Sequence, residues 1–245
     1  MMDMTILLRK KPNPSGHFQW MVDWENISST AQDNEAHSLY LKGSNKYCDL
    51  VHVYDSNKPI NLLAFLRYDY KKVLVRVRYL YIDRLRNYDI TSKNVIKPTD
   101  LDCAYFEPAL LCFPNLEFLG RLQYPELYNE DKDTWNVLSK ILTQMGDGYA
   151  TYVDKLINWH RNALSHELRP DGNWTDDLNT EGDYGPPKWK DGRLYLNIPH
   201  FIDSCLLQIE NLCEQLTGSN AQDVMAKYSM YISKRFAQKI ATGTK

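Results

Sequence analysis

Residues 156–168 read Leu-Ile-Asn-Trp-His-Arg-Asn-Ala-Leu-Ser-His-Glu-Leu. This stretch indicates the fold class and contains the most specific candidate for a functional site. Its leucines and isoleucine form one apolar face of a helix. Pro170 follows after Arg169 and cannot continue that helix, because its ring disfavours helical backbone at the preceding residue. The sequence therefore predicts a helix over residues 149–168 whose last turns carry three polar candidates, Arg161, Asn162 and His166.

Helices are also predicted on both sides of this stretch. They cover about 101–122, 133–145, 199–216 and 221–240, where apolar residues recur at helical spacing between turn formers. Between Trp174 and Asn197, apolar alternation flanked by glycine and proline turns predicts a small hairpin. The fold class is therefore mainly α, with a helical bundle over 101–240 and a small β-hairpin.

The first 100 residues have a different pattern and form a separate region of mixed α/β character. Residues 1–58 are polar with scattered aromatics and turn formers, which indicates a few strands or an irregular layer. From Pro59 to about Asp89, apolar residues recur at three and four residue steps, which predicts a long helix. A strand over 73–79, where β-branched residues alternate with polar ones, is the competing interpretation.

The same segment carries basic side chains interleaved with tyrosines, a composition suited to phosphate contacts and base stacking. The alternative is the solvated face of a helix, which has the same composition. The candidate nucleic-acid contacts are Lys71, Lys72, Arg76 and Arg78.

Composition excludes several classes of function. The net charge of -2 provides no overall field for nucleic acid or an acidic membrane, so any such contact is local. Five cysteines without a CxxC pair indicate reduced thiols. The chain shows no secretory signal and no apolar run of about 18 residues, so we expect a cytoplasmic protein without a membrane partner. The six histidines are dispersed, and neither a metal nor a cofactor is expected.

The helix over 149–168 and the sequence on both sides of it resemble a known family. Arg161-Asn162 and His166 form the pattern Arg-Asn-x-x-x-His, preceded by Phe-Pro-Asn-Leu-Glu-Phe-Leu-Gly-Arg-Leu at 113–122 and followed by a hairpin and a closing helix. Over about 101–216 the chain resembles the HEPN domain family (higher eukaryotes and prokaryotes nucleotide-binding). The resemblance implies a helical bundle that dimerises and, in many members, a metal-independent ribonuclease with motifs from two protomers at one cleft.

The resemblance maps the family motif onto Arg161, Asn162 and His166, with Glu117 as a supporting acidic position. Such a site suits cleavage of RNA: an imidazole has a pKa near neutral and can take the proton of a ribose 2′-hydroxyl. A guanidinium stays charged and can stabilise the phosphorane. The expected product end is a 2′,3′-cyclic phosphate. One departure is Leu168, where toxin members modified by a partner nucleotidyltransferase carry Tyr, so regulation of that kind is not expected.

Helix geometry limits how the motif can act. Residues five apart lie about 140° from each other around a regular α-helix, so Arg161 and His166 would not face one phosphate. Either the helix end unwinds near Pro170 or a second protomer completes the site, whereas Asn162 and His166, four residues apart, share a face.

Two other functions fit the same residues. In a non-enzymatic interaction module the Arg-His motif would hold helix ends together, with Arg161 paired to Glu117 or Glu167. A nucleotide-binding regulator would need an exposed pocket.

Overall fold

The structure is a computed structural model that describes residues 8–12, 18–22, 58–78, 106–127, 134–162, 173–175 and 185–242. Most of these residues are helical, which confirms the mainly α class. Residues 91–100, where the sequence with Pro98 predicts a linker, lie outside the described residues.

Helix α1, residues 59–78, changes its winding along its length. Its ends are α-helical over Pro59–Ala64 and Lys71–Arg78, and the middle, Phe65–Tyr70, is π-helical. Pro59 stands in the first turn, where its missing N–H is tolerated. The predicted helix is confirmed over this range, and the competing strand is wrong over 73–78; residues 79–89 lie outside the described part.

Helices α2 and α5 form the centre of the bundle. Helix α2 is Phe106–Gln123, followed by a short 3-10 turn at Pro125–Leu127, and α5 is Ile198–Thr217. The two helices pack against each other, and α1 packs against both. Buried residues of α1 belong to the same apolar cluster as those of α2 and α5. The packed unit therefore begins earlier than the predicted start at residue 101.

Three further helices complete the described bundle. Helix α3 is Thr134–Gln144, and Gly146 ends it with a positive φ of 107°, as expected of a C-terminal glycine. Helix α4, residues 147–162, has α-helical turns at Asp147–Ala150 and Val153–Lys155 and a π-helical end at Leu156–Asn162. Helix α6, Ala221–Thr242, packs on α2 and α5.

Aromatic rings join the π-helical part of α1 to α2 and α6. The ring centroid of Phe118 lies 4.6 Å from that of Tyr70 and 6.1 Å from that of Tyr231. The Tyr70 hydroxyl donates to the Asn115 carbonyl oxygen at 3.2 Å. Burial raises the pKa of Tyr70, with a smaller contribution from Cys205, so this phenol stays protonated and serves as a hydrogen-bond donor.

Two small sheets are described. Strands β1 (Leu8–Pro12) and β2 (Phe18–Val22) pair antiparallel, which confirms strands in the N-terminal region. In the second sheet, β4 (Lys188–Lys190) and β5 (Arg193–Asn197) form the predicted hairpin, and β3 (Asn173–Thr175) adds to β5 in parallel. Asp191 and Gly192 form the hairpin turn with φ of 52° and 75°, the positive values that a two-residue turn requires.

The described cysteines behave as small core residues. Cys112, Cys205 and Cys213 are buried free thiols, as predicted for them, and burial raises the pKa of Cys213 to about 12. Within the described ranges, no helix has the length and apolar character needed to cross a membrane.

Candidate functional site

The π-helical end of α4 determines where Arg161 and Asn162 point. A π-helix hydrogen-bonds residues five apart, so Arg161 lies near the face of Leu156, and Asn162 near the face of Ile157. Leu156 and Ile157 are buried in the core. The π-helical winding therefore turns Arg161 towards the bundle.

Arg161, Asn162 and Glu117 come together on this side. Arg161 Nη1 donates to Asn162 Oδ1 at 2.9 Å, and Arg161 Nη2 lies 3.7 Å from Glu117 Oε2. Asn162 Nδ2 donates in turn to Asn158 Oδ1 at 3.3 Å. Three of the four site residues predicted from the sequence are thus neighbours, while His166 lies outside the described residues.

Glu117 is held by two more side chains that sequence reasoning did not include. Arg121, one turn later on α2, donates to Glu117 Oε1, and the Thr134 hydroxyl donates to the same oxygen at 3.1 Å. The spacing of Glu117 and Arg121, four residues apart, is a signal that could have identified the first contact. We call Glu117, Arg121, Thr134, Arg161 and Asn162 the Glu117 centre.

A glycine allows α3 to approach α2 closely at this centre. A Cβ atom added at Gly120 would lie 2.5 Å from Val137 Cγ1 and 3.1 Å from the Val137 backbone oxygen. Any larger residue would push the two helices apart. Gly120 therefore helps to bring Thr134, at the start of α3, within reach of Glu117.

The Glu117 centre offers cationic side chains to an anion. Two guanidinium groups contact one carboxylate at a partly exposed position. A guanidinium has five N–H donors, so Arg161 can keep its protein contacts and still donate to a phosphate oxygen.

Of the four candidate nucleic-acid contacts on α1, the structure describes the side chain of Lys71 alone. Lys71 is buried and forms an ion pair with Glu210 on α5, which Arg67 also contacts at 3.1 Å. The expectation of a phosphate contact therefore needs correction for Lys71, because its ammonium is enclosed by protein. The side chains of Lys72, Arg76 and Arg78 lie outside those that the structure describes.

A second polar group was not anticipated from the sequence. The Tyr149 hydroxyl lies 2.8 Å from His200 Nδ1 and donates to Ser204 Oγ at 3.2 Å. His200 stands in the first turn of α5, where Asn197 caps the helix by accepting from the His200 backbone N–H at 2.9 Å. Burial lowers the pKa of His200, partly offset by Asp203. No local pattern joins Tyr149 to a histidine 51 residues away.

Among the described residues there is no metal-ligand cluster, and the described cleft is small. The described part of the chain contains no group of three His, Cys, Asp or Glu side chains that could hold a metal ion. One open cleft of about 120 Å³ lies between Leu122, Gln144 and Lys227, away from the Glu117 centre. That volume is well below the roughly 300 Å³ that small-molecule sites need.

Comparison with known proteins gives no relative. No family model matches the chain, and no curated protein or solved structure matches it either.

Proposed function

We propose that the chain is a HEPN-like, metal-independent RNA endonuclease of the cytoplasm that acts as a homodimer. The observation that supports this most is the Glu117 centre, where Arg161 and Asn162 meet the acidic residue that the resemblance assigns as supporting. The centre is partly exposed and brings two guanidinium groups to one carboxylate.

In the proposed reaction, His166 takes the proton of the ribose 2′-hydroxyl and the 2′-oxygen attacks the adjacent phosphorus. Arg161 donates to the phosphoryl oxygens as negative charge builds up on them. The bond from phosphorus to the 5′-oxygen breaks, and that oxygen takes a proton from water. The products are a 2′,3′-cyclic phosphate and a 5′-hydroxyl end. Asn162 and Glu117 hold the Arg161 side chain in place through the contacts described above.

The experiment is incubation of the purified full chain with mixed RNA in excess EDTA, with analysis of the new ends. We expect cleavage that leaves 2′,3′-cyclic phosphates and is lost in His166→Ala. The matched control is His160→Ala, which removes a histidine of the same segment outside the motif and should leave the cleavage rate within about twofold. Intact RNA, or equal cleavage by His166→Ala, would overturn the proposal.

A second function is favoured by one specific observation. Arg161 already contacts both Asn162 and Glu117, as it would in a non-enzymatic interaction module whose motif joins α4 to α2. In that case Arg161→Ala would change the free energy of unfolding and no RNA would be cut. The cleft near Leu122, at about 120 Å³, does not support the nucleotide-binding alternative.

A further inference from the structure

The two carboxylate oxygens of Glu117 have different partners. Oε1 accepts from Arg121 on α2 and from the Thr134 hydroxyl on α3, the latter at 3.1 Å. Oε2 lies 3.7 Å from Arg161 Nη2 on α4. Rotation of the carboxyl group would break both bonds to Oε1, so these two donors keep Oε2 directed towards Arg161.

The contact between Glu117 and Arg161 depends on that orientation. At 3.7 Å it is an ion pair and is longer than an N–H···O hydrogen bond, whose donor and acceptor lie about 2.7–3.2 Å apart. An ion pair at a partly exposed position is weak, so a small turn of the carboxyl group would loosen it. The bond from Arg161 to Asn162, at 2.9 Å, joins neighbours on one helix, whereas the Glu117 contact ties Arg161 to a second helix.

A close contact between α2 and α3 determines where the Thr134 hydroxyl lies. Gly120 comes three residues after Glu117, and Val137 comes three residues after Thr134, so each shares a helix face with its partner. A Cβ atom added at Gly120 would lie 2.5 Å from Val137 Cγ1, and Val137 is fully buried. The two helices therefore touch one turn beyond the Thr134–Glu117 bond, and this packed contact sets the distance between hydroxyl and carboxylate.

The Thr134 hydroxyl is a neutral donor, unlike the guanidinium of Arg121. Thr134→Val keeps the branched shape of the side chain and removes the hydroxyl, so the charges of the Glu117 centre stay the same. An effect of this change on Arg161 would come from the orientation of Glu117 and not from its charge.

We propose that Thr134 is a positioning residue of the site: its hydroxyl orients Glu117, whose second oxygen then holds Arg161 where a phosphate would bind. The proposal deepens the proposed function and rests on it for the identity of that phosphate. The competing role for Thr134 is to stabilise the start of α3, of which it is the first residue. That role would change stability without a selective effect on Arg161.

The first measurement requires no cleavage of RNA. The full chain is treated with phenylglyoxal, which modifies arginine side chains, and peptide mass spectrometry gives the rate for each arginine. We expect Thr134→Val to raise the rate at Arg161 about fivefold, the effect of losing one ordinary hydrogen bond. Thr134→Ser keeps a donor and should match wild type. The matched control is Thr143→Val, whose hydroxyl on the same helix donates to the Ser139 carbonyl oxygen at 2.7 Å; it should also match wild type.

The second measurement is the rate of RNA cleavage in EDTA. In Thr134→Val, kcat should fall at least about tenfold, because a shift of about 1 Å in a positioned group can cost about 100-fold. KM should change by less than about twofold, since the charge of Arg161 is retained and still attracts the substrate. Thr134→Ser should keep kcat close to that of wild type.

Each outcome decides the proposal. Unchanged reactivity of Arg161 in Thr134→Val would overturn it, as would equal effects of Thr134→Val and Thr134→Ser, or a faster modification with an unchanged kcat. A parallel rise in reactivity at the buried Arg67 would show that Thr134 stabilises the whole fold instead. Faster modification of Arg161 in Thr134→Val alone, without cleavage of RNA by wild type, would support the positioning role while the endonuclease proposal fails.

Discussion

Two centres in this molecule each pair one carboxylate with two cationic side chains, but their surroundings differ. Glu117 is contacted by Arg121 and Arg161, and Glu210 by Arg67 and Lys71. The two carboxylates are almost equally exposed, at 17% and 18%. The cations differ: Arg121 and Arg161 are 21% and 27% exposed, whereas Arg67 and Lys71 are 6% exposed each.

This difference in exposure distinguishes an ion pair that stabilises the fold from one that a ligand can reach. Around Glu210, both cations are enclosed between α1 and α5, so the carboxylate is needed to compensate for their lost hydration. Around Glu117, both cationic side chains remain partly exposed, so a ligand can approach them from the solvent side.

The largest loss of stability is expected when Arg67 and Lys71 lose the carboxylate of Glu210. Glu210→Gln leaves Arg67 and Lys71 enclosed without a countercharge, and breaking a buried pair in this way costs about 3–5 kcal/mol. Chemical denaturation of the variant measures the change in the free energy of unfolding. Glu214→Gln, an exposed position on the same helix, is the control and should differ by less than about 0.5 kcal/mol. A loss below about 1 kcal/mol in Glu210→Gln would contradict the structural role of this centre.

A smaller change in stability, which depends on pH, is expected at His200 in the first turn of α5. Burial lowers the pKa of His200 from its ordinary 6.5, so the unfolded chain binds this proton more readily than the folded one. Stability from His200 is fully present above about pH 6.5 and is lost as the pH falls towards the lower folded pKa.

The measurement is the free energy of unfolding between pH 5 and 8 for wild type and His200→Gln. The fall in stability on acidification should be shallower in the variant, because the other titrating groups are common to both. Parallel curves would show that His200 binds its proton equally well in the folded and unfolded chains.

Local sequence patterns predicted the helices well and the polar contacts poorly. Apolar spacing and turn formers such as Gly146 and Asp191-Gly192 act over a few residues, and these elements are present as expected. The π-helical end of α4 was not predicted, because its apolar spacing also fits an α-helix. Lys71 was predicted at the surface, since its partner Glu210 lies 139 residues away and only tertiary packing brings them together.

The candidate site likewise combines residues that a motif predicts with contacts that only tertiary packing determines. Glu117, Arg161 and Asn162 could be named from a motif, and their proximity follows from the packing of α4 on α2. Thr134 required the close approach of α3 at Gly120, and the contact between Trp159 and Trp189 required the hairpin to pack on α4. Neither contact has a signature within a few residues of sequence.

We propose that the Glu117 centre serves a ligand and that the Glu210 centre serves the fold. A paired measurement on Arg161→Ala tests this: the rate of RNA cleavage in EDTA and the free energy of unfolding. We expect cleavage to fall about 100-fold, the typical effect of removing one group that stabilises the transition-state charge. The free energy of unfolding should fall by no more than about 1 kcal/mol, as for a partly hydrated ion pair. Unchanged cleavage together with a loss of several kcal/mol would contradict the account.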